Sequence, residues 1–297
     1  MTSIETASPS DPPRPRRRPK WLVYLLLGRV SNLPTIWTNC LAGVILAGHP
    51  FDASLVWLPV AMSLMYIGGM FLNDAFDERF DRQVRSERPI PAGDIRAGQV
   101  YVLGFAMLAA SIWAVASNTA FKTEAIVWAV ILAALIVYYN YRHKRDPLSP
   151  LVMALCRVMV YFVAAASVET ALSTDVLIGA TALTGYLIGL TYVAKQENLS
   201  EVKNLWPLLF LSLPLLQFFR GANLLAGMAL VGWALYALSF LIEKPRRIAT
   251  AVVSLIAGIA LLDAMTISTV PEQGMLALAA GAAFILTLAF QRFIPGT

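Results

Sequence analysis

Long apolar blocks separated by short polar segments fill almost the whole chain after residue 20. A block of about 20 apolar residues is long enough for an α-helix to cross the hydrocarbon core of a bilayer. The blocks lack the alternation of polar and apolar residues that marks the strands of a membrane barrel. The pattern therefore predicts an all-α fold, a polytopic transmembrane bundle of nine to ten helices. The predicted spans are residues 21–47, 54–73, 98–117, 122–141, 149–168, 174–194, 204–219, 222–242, 247–268 and 273–292.

The span at 204–219 is the least regular of these blocks. It is short and contains Pro207 and Pro214, each of which removes a helix hydrogen bond and favours a kink. A re-entrant or interfacial segment is the alternative. Keeping it as a span places the loops that are rich in Lys and Arg on one side of the membrane, as the positive-inside rule requires. Both termini are then predicted to be cytoplasmic, with the protein in a bacterial inner membrane.

The composition agrees with an integral membrane protein. Of 297 residues, 58% are hydrophobic and 14% are charged, against about a quarter charged in a soluble domain. The net charge of +5 comes from loops beside the spans, so topology explains it and no nucleic-acid partner is predicted. Cys40 and Cys156 lie inside apolar blocks and indicate neither a disulfide nor a zinc site. Residues 1–20 are predicted to be a disordered basic tail, and residues 21–297 a single transmembrane domain.

The most unusual segment is the polar loop LNDAFDERFDRQVRSERPIPAG after the second span. If the helix continues into this loop, the spacing of Asp74, Asp77 and Asp81 places their carboxylates on one face. Because like charges at this spacing repel, the arrangement favours a cation among them, and Mg²⁺ prefers such oxygen ligands together with substrate phosphates. Arg88 presents a fork of donors that matches phosphate oxygens, and it is the best candidate for a diphosphate clamp.

The alternative for this loop is a solvated helix whose acids pair with nearby arginines. Its candidates for pairing are Arg79, Arg82, Arg85 and Arg88. Such a helix would carry charge without binding a ligand.

The same residues resemble the first signature of the UbiA superfamily of intramembrane prenyltransferases, NDxxDxxxD followed by RPxxxG. Here the signature is Asn73, Asp74, Asp77 and Asp81, then Arg88, Pro89 and Gly93. The resemblance extends to Arg29 and Asn32 in the first span and to the basic loop YNYRHKRDPLSP, and it is strongest to the divergent UbiA-like branch associated with EboC. It implies a helical bundle around an apolar chamber, whose cytoplasmic mouth binds an allylic diphosphate through magnesium.

The second acid motif of that superfamily, usually DxxxD, corresponds here to YVAKQENLSEVKN. Glu197 and Glu201 keep the four-residue spacing, and Lys195 lies close enough to replace part of the charge of a second metal. The resemblance therefore implies metal ligation by Asp74, Asp77, Asp81, Glu197 and Glu201, with catalytic roles for Asp74, Asp77 and Lys195.

Charged residues inside predicted spans and aromatic residues at span ends supply further candidates. Arg29 and Arg157 either reach a diphosphate or extend to the membrane surface, and Asp263 is expected to make a structural hydrogen bond. Tyr138, Tyr139, Tyr141 and Tyr192 either stabilise an allylic cation or form an interfacial aromatic belt. No role is predicted for His143. The substrate-binding candidates are Asn32, Asn73, Arg88, Arg29, Arg157 and Tyr192.

The predicted function is magnesium-dependent transfer of a prenyl group from an allylic diphosphate to a small aromatic or lipid-like acceptor within the membrane. Two alternatives stay open. One is a catalytically silent relative that binds lipid or diphosphate, which the altered second motif favours. The other is a cation-coupled transporter, although transporter sites usually lie near the bilayer midplane rather than at one surface.

Overall fold

The computed structural model describes residues 18–119, 122–144, 146–195, 206–243 and 245–296, and these residues form helices and connecting turns without a strand. This confirms the predicted all-α fold. The helices are α1 (Lys20–Gly28), α2 (Leu33–Leu46), α3 (Trp57–Phe76), α4 (Glu78–Val84), α5 (Ala97–Asn118), α6 (Lys122–Arg142), α7 (Ser149–Ala166), α8 (Thr174–Lys195), α9 (Leu224–Ser239), α10 (Ile248–Ile267) and α11 (Gly274–Gln291), with a 3-10 segment at Trp206–Arg220.

Ten apolar helical segments in the described chain correspond to the ten predicted spans. Seven are long and apolar enough to cross a membrane, and three are shorter. The seven are Ala53–Phe76, Ala97–Asn118, Thr123–Arg142, Ser149–Ala166, Thr174–Lys195, Ile248–Ile267 and Gly274–Gln291, and the shorter three are Val30–Leu46, Trp206–Arg220 and Leu224–Ser239. The chain is an integral membrane protein.

The first predicted span is broken rather than continuous. Helix α1 ends at Gly28, Arg29 adopts a left-handed conformation with φ 42° and ψ 47°, and a 3-10 turn at Val30–Asn32 leads into α2. Such a conformation costs a non-glycine residue of order 1–3 kcal/mol. Pro34 then fits the first turn of α2, where its missing N–H leaves no helix bond unmade.

The segment that contains the two prolines is a 3-10 helix of 15 residues, Trp206–Arg220. A 3-10 helix rises about 2.0 Å per residue, so this length spans about 30 Å, the thickness of the hydrocarbon core. The segment runs back along α8, because Gly185 and Gly189 lie against Leu213 and Leu211 and because Arg220 forms an ion pair with Asp175 at the start of α8.

The centre of the bundle is a contact between α2, α7 and α10, where most side chains are fully buried. Gly43 of α2 lies so close to α7 that an added Cβ would be 2.6 Å from the backbone oxygen of Tyr161 and 2.7 Å from the Cβ of Ala164. Small residues at such crossings let helix backbones approach closely in a membrane.

Replacing Gly43 with alanine is expected to destabilise the protein by about 1–3 kcal/mol, because the two helices must separate to make room. Gly232→Ala on α9 is the matched control, since nothing lies within 4 Å of its added Cβ. We expect the control to leave stability unchanged or slightly raised. Thermal unfolding in detergent compares the two variants, and equal midpoints would contradict the close crossing.

A buried polar network joins the same three helices. Asp263 of α10 is fully buried and accepts hydrogen bonds from Thr38, Asn39 and Tyr161. The structural hydrogen bond expected for Asp263 is thus confirmed. A buried carboxylate must be hydrogen-bonded throughout to be tolerated, so this cluster ties α2, α7 and α10 together.

Replacing Asp263 with asparagine is expected to cost about 2–4 kcal/mol of stability, because an amide nitrogen would then face at least one of three donors. Glu243→Gln is the control, since its carboxylate is exposed and its pair with Arg247 spans 3.8 Å at the surface. The thermal midpoint should fall for Asp263→Asn and change little for Glu243→Gln. Unchanged unfolding in both variants would show that the network does not hold the helices together.

Candidate active site

Three aspartates converge at one end of the bundle, where α3 ends and α4 begins. The helical hydrogen bonds continue across the junction, from Asp77 N to Asn73 O at 3.0 Å and from Asp81 N to Asp77 O at 2.9 Å. Asp74, Asp77 and Asp81 therefore share one face, as their spacing predicts, and all three are buried, with 5%, 8% and 0% of their surface exposed. We call this the acidic end of the bundle.

Arg88 bridges two of these carboxylates. Its Nη1 lies 3.2 Å from Asp74 Oδ1 and 2.9 Å from Asp81 Oδ2. The loop that carries it is held in place because the side chain of Ile90 is buried against α1, α3 and α5, and because Gly93 closes the turn with φ 80°. The Arg-Pro-Ile-Pro-Ala-Gly sequence thus fixes the guanidinium over the aspartates.

Arg29 reaches the same cluster from the break between α1 and α2. Its Nη2 lies 3.0 Å from Asp74 Oδ1 and 3.4 Å from Asn73 Oδ1, and its Nη1 lies 3.2 Å from Met70 Sδ. The left-handed backbone at Arg29 is therefore the conformation that turns the chain at the acidic end. Asp74 accepts from two arginines, so two cations lie within hydrogen-bond distance of one carboxylate.

A second group of bases, from the loop after α6, contacts Asp77. Lys144 Nζ forms an ion pair with Asp77 Oδ1, and His143 Nε2 lies 3.5 Å from Asp77 Oδ2. Burial raises the pKa of the Asp77 carboxyl, but the hydrogen bonds and charges of His143 and Lys144 outweigh burial and hold the pKa below its usual value. No role was predicted for His143 from the sequence, and the fold brings its ring beside Asp77 at the acidic end.

The third carboxylate of the cluster is that of Asp81, and one of its two oxygens has no partner among the described residues. Burial raises the pKa of Asp81 above its usual value against the opposing effect of Arg88. Burial lowers the pKa of Arg88, but Asp74 and Asp81 outweigh it and raise that pKa above its usual value. Asp81 Oδ1 is buried and has no hydrogen-bond partner among the described residues. Such an orphaned acceptor suits a cation or a donor supplied by a ligand.

The donor set at the acidic end fits magnesium that arrives with a phosphate. Three carboxylates supply the oxygen ligands that Mg²⁺ prefers, and one or two of them suffice when substrate phosphates complete the octahedron. No group of three acidic, histidine or cysteine side chains in the described ranges is arranged to hold a metal by itself. Arg29, Arg88 and Lys144 contact the carboxylates instead. Glu197 and Glu201, the predicted second acid motif, lie outside the described residues.

The alternative of a solvated charged helix predicts exposed acids, and exposed pairing of this kind is seen on the outer face of α4. Arg82 pairs with Glu78 at 2.7 Å, and that pair is largely exposed. The three aspartates are buried; Arg88 of the same loop pairs with Asp74 and Asp81, and bases from distant parts of the chain contact Asp74 and Asp77. They are therefore not a solvated charge run.

An apolar cavity of about 70 Å³ begins directly below the acidic cluster, between α2, α3, α6 and α7. Met70, which contacts Arg29, and Asn140, whose side chain accepts a hydrogen bond from Asn73 Nδ2 at 3.1 Å, form its end nearest the aspartates. Its lining residues are Ile36, Met62, Met65, Tyr66, Gly69, Met70, Leu132, Ile136, Tyr139, Asn140, Met153, Cys156, Arg157 and Val160. Asn140 was not among the candidates from sequence, because a single Asn at the end of a span carries no distinguishing pattern.

The candidate tyrosines divide between the cavity and the outer surface. Tyr139 lines the cavity and stacks on His143 with ring centroids 5.0 Å apart. Tyr138 and Tyr141 are 46% and 70% exposed on the outside of α6, which suits an aromatic belt at the membrane surface. Tyr192 is half-buried in the last turn of α8.

In the described part of the chain, two further predicted substrate-binding residues, Asn32 and Arg157, and the predicted catalytic residue Lys195 make no hydrogen bond or ion pair with the three aspartates. Asn32 donates to Tyr66 Oη at 3.1 Å and to the backbone oxygen of Gly296 at 2.9 Å, so it connects α3 to the C-terminal segment. Arg157 borders the cavity deeper in the bundle. Lys195 ends α8 with an exposed side chain. Their proposed roles in catalysis or binding stay predictions.

Comparisons with known proteins point to one family. The model of the UbiA prenyltransferase family matches residues 35–288. The digeranylgeranylglyceryl phosphate synthase of Methanopyrus kandleri is 30% identical over 128 residues, 42% of this chain and 45% of that protein. The 4-hydroxybenzoate octaprenyltransferase of Idiomarina loihiensis is 29% identical over 124 residues, 41% of this chain and 42% of that protein. The matched part of the chain thus spans less than half the length of these curated relatives.

Two solved structures share the fold. One, described as a digeranylgeranylglyceryl phosphate synthase, has a TM-score of 0.58 at 18% identity and covers 84% of this chain and 99% of its own. The other, the apo structure of a UbiA homolog from Aeropyrum pernix K1, has a TM-score of 0.50 at 15% identity and covers 90% of this chain and 98% of its own. At such low identity the likeness shows a common helical architecture.

Proposed function

The chain belongs to the UbiA prenyltransferase family, since the family model matches residues 35–288, and we propose that it transfers a prenyl group from an allylic diphosphate to a small aromatic or lipid-like acceptor. The single observation that carries this proposal is the placement of a buried cluster of acids and arginines directly above an apolar cavity. The carboxylates and arginines of the cluster suit the binding of a diphosphate with magnesium, and the apolar cavity suits the binding of a hydrocarbon chain or ring.

In this proposal Asp74, Asp77 and Asp81 would hold magnesium together with the diphosphate, and Glu197 and Glu201 are the proposed ligands from the second motif. Magnesium supplies charge neutralisation for the leaving diphosphate. Arg29 and Arg88 move from carboxylate to phosphate oxygens when substrate binds, because phosphate offers each guanidinium the same planar acceptor geometry with more charge. Lys144 and Lys195 are proposed to add positive charge at the edge of the diphosphate site.

Bond breaking follows from the same electrostatics. The carbon–oxygen bond of the allylic diphosphate ionises, the electron pair stays with the diphosphate, and an allylic cation forms at the mouth of the cavity. Donors fixed in advance around the leaving group lower the barrier without reorganising during the reaction. The acceptor then forms a carbon–carbon or carbon–oxygen bond to the cation and loses a proton.

The cavity protects the cation from water. Its walls are mainly Met, Ile, Leu and Val side chains, with the Tyr139 ring near the acidic end. Water would convert the cation to an alcohol, so a dry site is needed for transfer. The face of Tyr139 can stabilise the cation through its quadrupole.

The acidic end is proposed to be cytoplasmic. Basic residues lie at the helix ends there: Arg142 ends α6 and Lys144 follows it, and Arg18 precedes α1, which begins at Lys20. Clusters of Lys and Arg in short loops favour the cytoplasmic side. Prenyl diphosphates, which are charged and water-soluble at one end, would then reach the aspartates from the cytoplasm.

Turnover is the test of this function. Membranes that contain the full-length protein are incubated with farnesyl or geranylgeranyl diphosphate, magnesium and either 4-hydroxybenzoate or a glycerol-phosphate lipid, and mass spectrometry detects prenylated product. We expect one product that requires magnesium and is absent from membranes without the protein. Binding of prenyl diphosphate with no product from any acceptor would favour a silent binding protein instead.

A further inference from the structure

A groove between α5 and α6 lies on the outside of the bundle, on the face of α6 that points away from the cavity. Its volume is about 630 Å³. Tyr139 and Asn140 of α6 line the cavity, whereas Tyr138 and Tyr141 of the same helix line the groove. The groove is therefore separate from the site proposed for prenyl transfer.

The groove is lined by apolar side chains of uneven size. Ala109 of α5 and Ala134 of α6 are small, and they leave a depression beside larger neighbours such as Phe105 and Val130, which are 46% and 48% exposed. Most residues of both helices are not buried in the bundle. In a membrane this surface contacts lipid, and a concave apolar surface packs against a hydrocarbon chain more closely than a flat one does.

The length of the groove matches one leaflet of a bilayer. On α6 it extends from Val130 to Tyr141, a separation of eleven residues that rises about 16 Å. The hydrocarbon core is about 30 Å thick, so one leaflet is about 15 Å. Tyr141 lies at the acidic end, because His143 and Lys144, which contact Asp77, follow it closely. The groove thus spans the leaflet on the acidic side of the membrane.

Two exposed arginines lie at this end of the two helices. Arg96 immediately precedes α5, and Arg142 is the last residue of α6. The two helix ends are level with each other, because the rings of Tyr101 and Tyr141 both contact the ring of Phe76. Neither guanidinium forms a salt bridge with another of the described residues. Both are therefore available to an anionic group at the membrane surface.

The acids near the same end already have partners. Asp146 accepts hydrogen bonds from Tyr138 Oη at 2.9 Å and from the backbone nitrogen of Leu148 at 2.8 Å. Glu78 pairs with Arg82 at 2.7 Å. The positive charge beside the groove is thus left to select the charge of a lipid headgroup, and basic residues next to membrane helices favour anionic lipids.

We propose that the groove between α5 and α6 binds an anionic glycerophospholipid from the leaflet at the acidic end. One acyl chain lies along the groove over Ala109 and Ala134. The phosphate and the rest of the headgroup lie beside Tyr141, where Arg96 and Arg142 contact them. This site is independent of the proposed prenyl transfer, because the groove and the cavity are on different faces of α6.

The test measures phospholipid binding to the purified full-length protein after native lipid is removed. Dioleoylphosphatidylglycerol is anionic, dioleoylphosphatidylcholine is zwitterionic, and their chains are the same. Native mass spectrometry gives the dissociation constant of the first bound lipid. Each arginine near a membrane surface favours an anionic lipid by about fivefold, so we expect phosphatidylglycerol to bind about tenfold or more tightly. Glycerol 3-phosphate, which has no chains, should not displace the bound lipid.

Two pairs of variants assign the lipid to the groove. Ala109→Phe fills the groove and should weaken phosphatidylglycerol binding by about tenfold, whereas Ala110→Phe changes the next exposed residue, outside the groove, and should not. The double variant Arg96→Gln, Arg142→Gln should bind both phospholipids equally, and Arg82→Gln should keep the preference. Thermal unfolding checks that each variant is folded. If Ala109→Phe does not fold, the wild-type preference and the arginine variants decide the proposal.

Equal binding of the two phospholipids by the wild type would overturn the proposal. So would a preference that survives in the double arginine variant, or phosphatidylglycerol binding that is unchanged in Ala109→Phe. A wild-type dimer that binds no phospholipid and dissociates in Ala109→Phe would show that a second copy of the chain occupies the groove instead. Turnover is not measured, so the result does not depend on whether the protein transfers prenyl groups.

Discussion

Asp74→Asn is expected to lower magnesium-dependent prenyl transfer by about 100- to 1000-fold while the protein stays folded. The change keeps the shape of the side chain and removes the charge that both Arg29 and Arg88 contact. It also removes one of the carboxylates proposed to hold magnesium with the diphosphate. Losing one fixed electrostatic contact at a reacting group commonly costs two to three orders of magnitude in rate, about 3–4 kcal/mol.

Glu78→Gln is the matched control for this variant. Glu78 lies on the same short stretch of helix, carries the same charge and, among the described residues, pairs only with Arg82 on the exposed face of α4. Its rate should stay within about twofold of wild type, since exposed pairs contribute little. A similar loss in both variants would mean that net charge in the loop matters and that the buried position of Asp74 does not.

Arg88→Lys is expected to lower kcat/KM for the prenyl diphosphate by about 100-fold. In the structure Arg88 contacts Asp74 and Asp81 through Nη1 alone. Lysine keeps the positive charge but cannot present the planar fork that is proposed to bind the diphosphate. Two charge-assisted hydrogen bonds at about 1.5 kcal/mol each account for this factor. Steady-state kinetics in defined vesicles measures the effect.

Arg82→Lys supplies the comparison, because Arg82 is exposed and its hydrogen bonds within the described part of the chain go to Glu78 in the same loop. Its kinetics should match those of wild type. If Arg88→Lys also matches wild type, Arg88 is a structural anchor for the loop and the diphosphate clamp is elsewhere.

The positions of the helices could be predicted from the sequence because the physics of the bilayer is simple. Twenty apolar residues in lipid have to satisfy their own backbone hydrogen bonds, so a helix follows from composition alone. The local conformation of two segments could not be predicted. The left-handed Arg29 and the long 3-10 segment depend on packing against α3 and α8, which no local pattern encodes.

The acidic face of the site could be predicted from the sequence for a similar reason. Spacings of three and four residues put Asp74, Asp77 and Asp81 together whenever the helix continues, and it does. Arg88 of the same loop was predicted as well, but the other bases that contact the aspartates come from distant parts of the chain. Lys144 and His143 reach Asp77 only after α6 packs beside α3, and their loop looks like any basic loop at a membrane surface.

Side-chain direction was the hardest feature to predict. In a helix that is apolar on all sides, periodicity does not tell which residues face the interior. Tyr139 faces the cavity while Tyr138 and Tyr141, on the same helix, face outward. Arg157 was predicted either to reach a diphosphate or to extend to the surface, and in the structure its guanidinium borders the cavity and donates to Asn39 and Thr35.

Binding of geranylgeranyl diphosphate to the purified wild-type protein, with magnesium and with a chelator in its place, tests the central claim most directly. Geranylgeraniol, which lacks the diphosphate, and the variant Asp77→Ala are measured in parallel. The account predicts binding that requires magnesium, that the alcohol does not reproduce, and that Asp77→Ala abolishes. Binding that is the same without magnesium and in Asp77→Ala, or equal binding of the alcohol, would contradict a diphosphate site at the acidic end of the bundle.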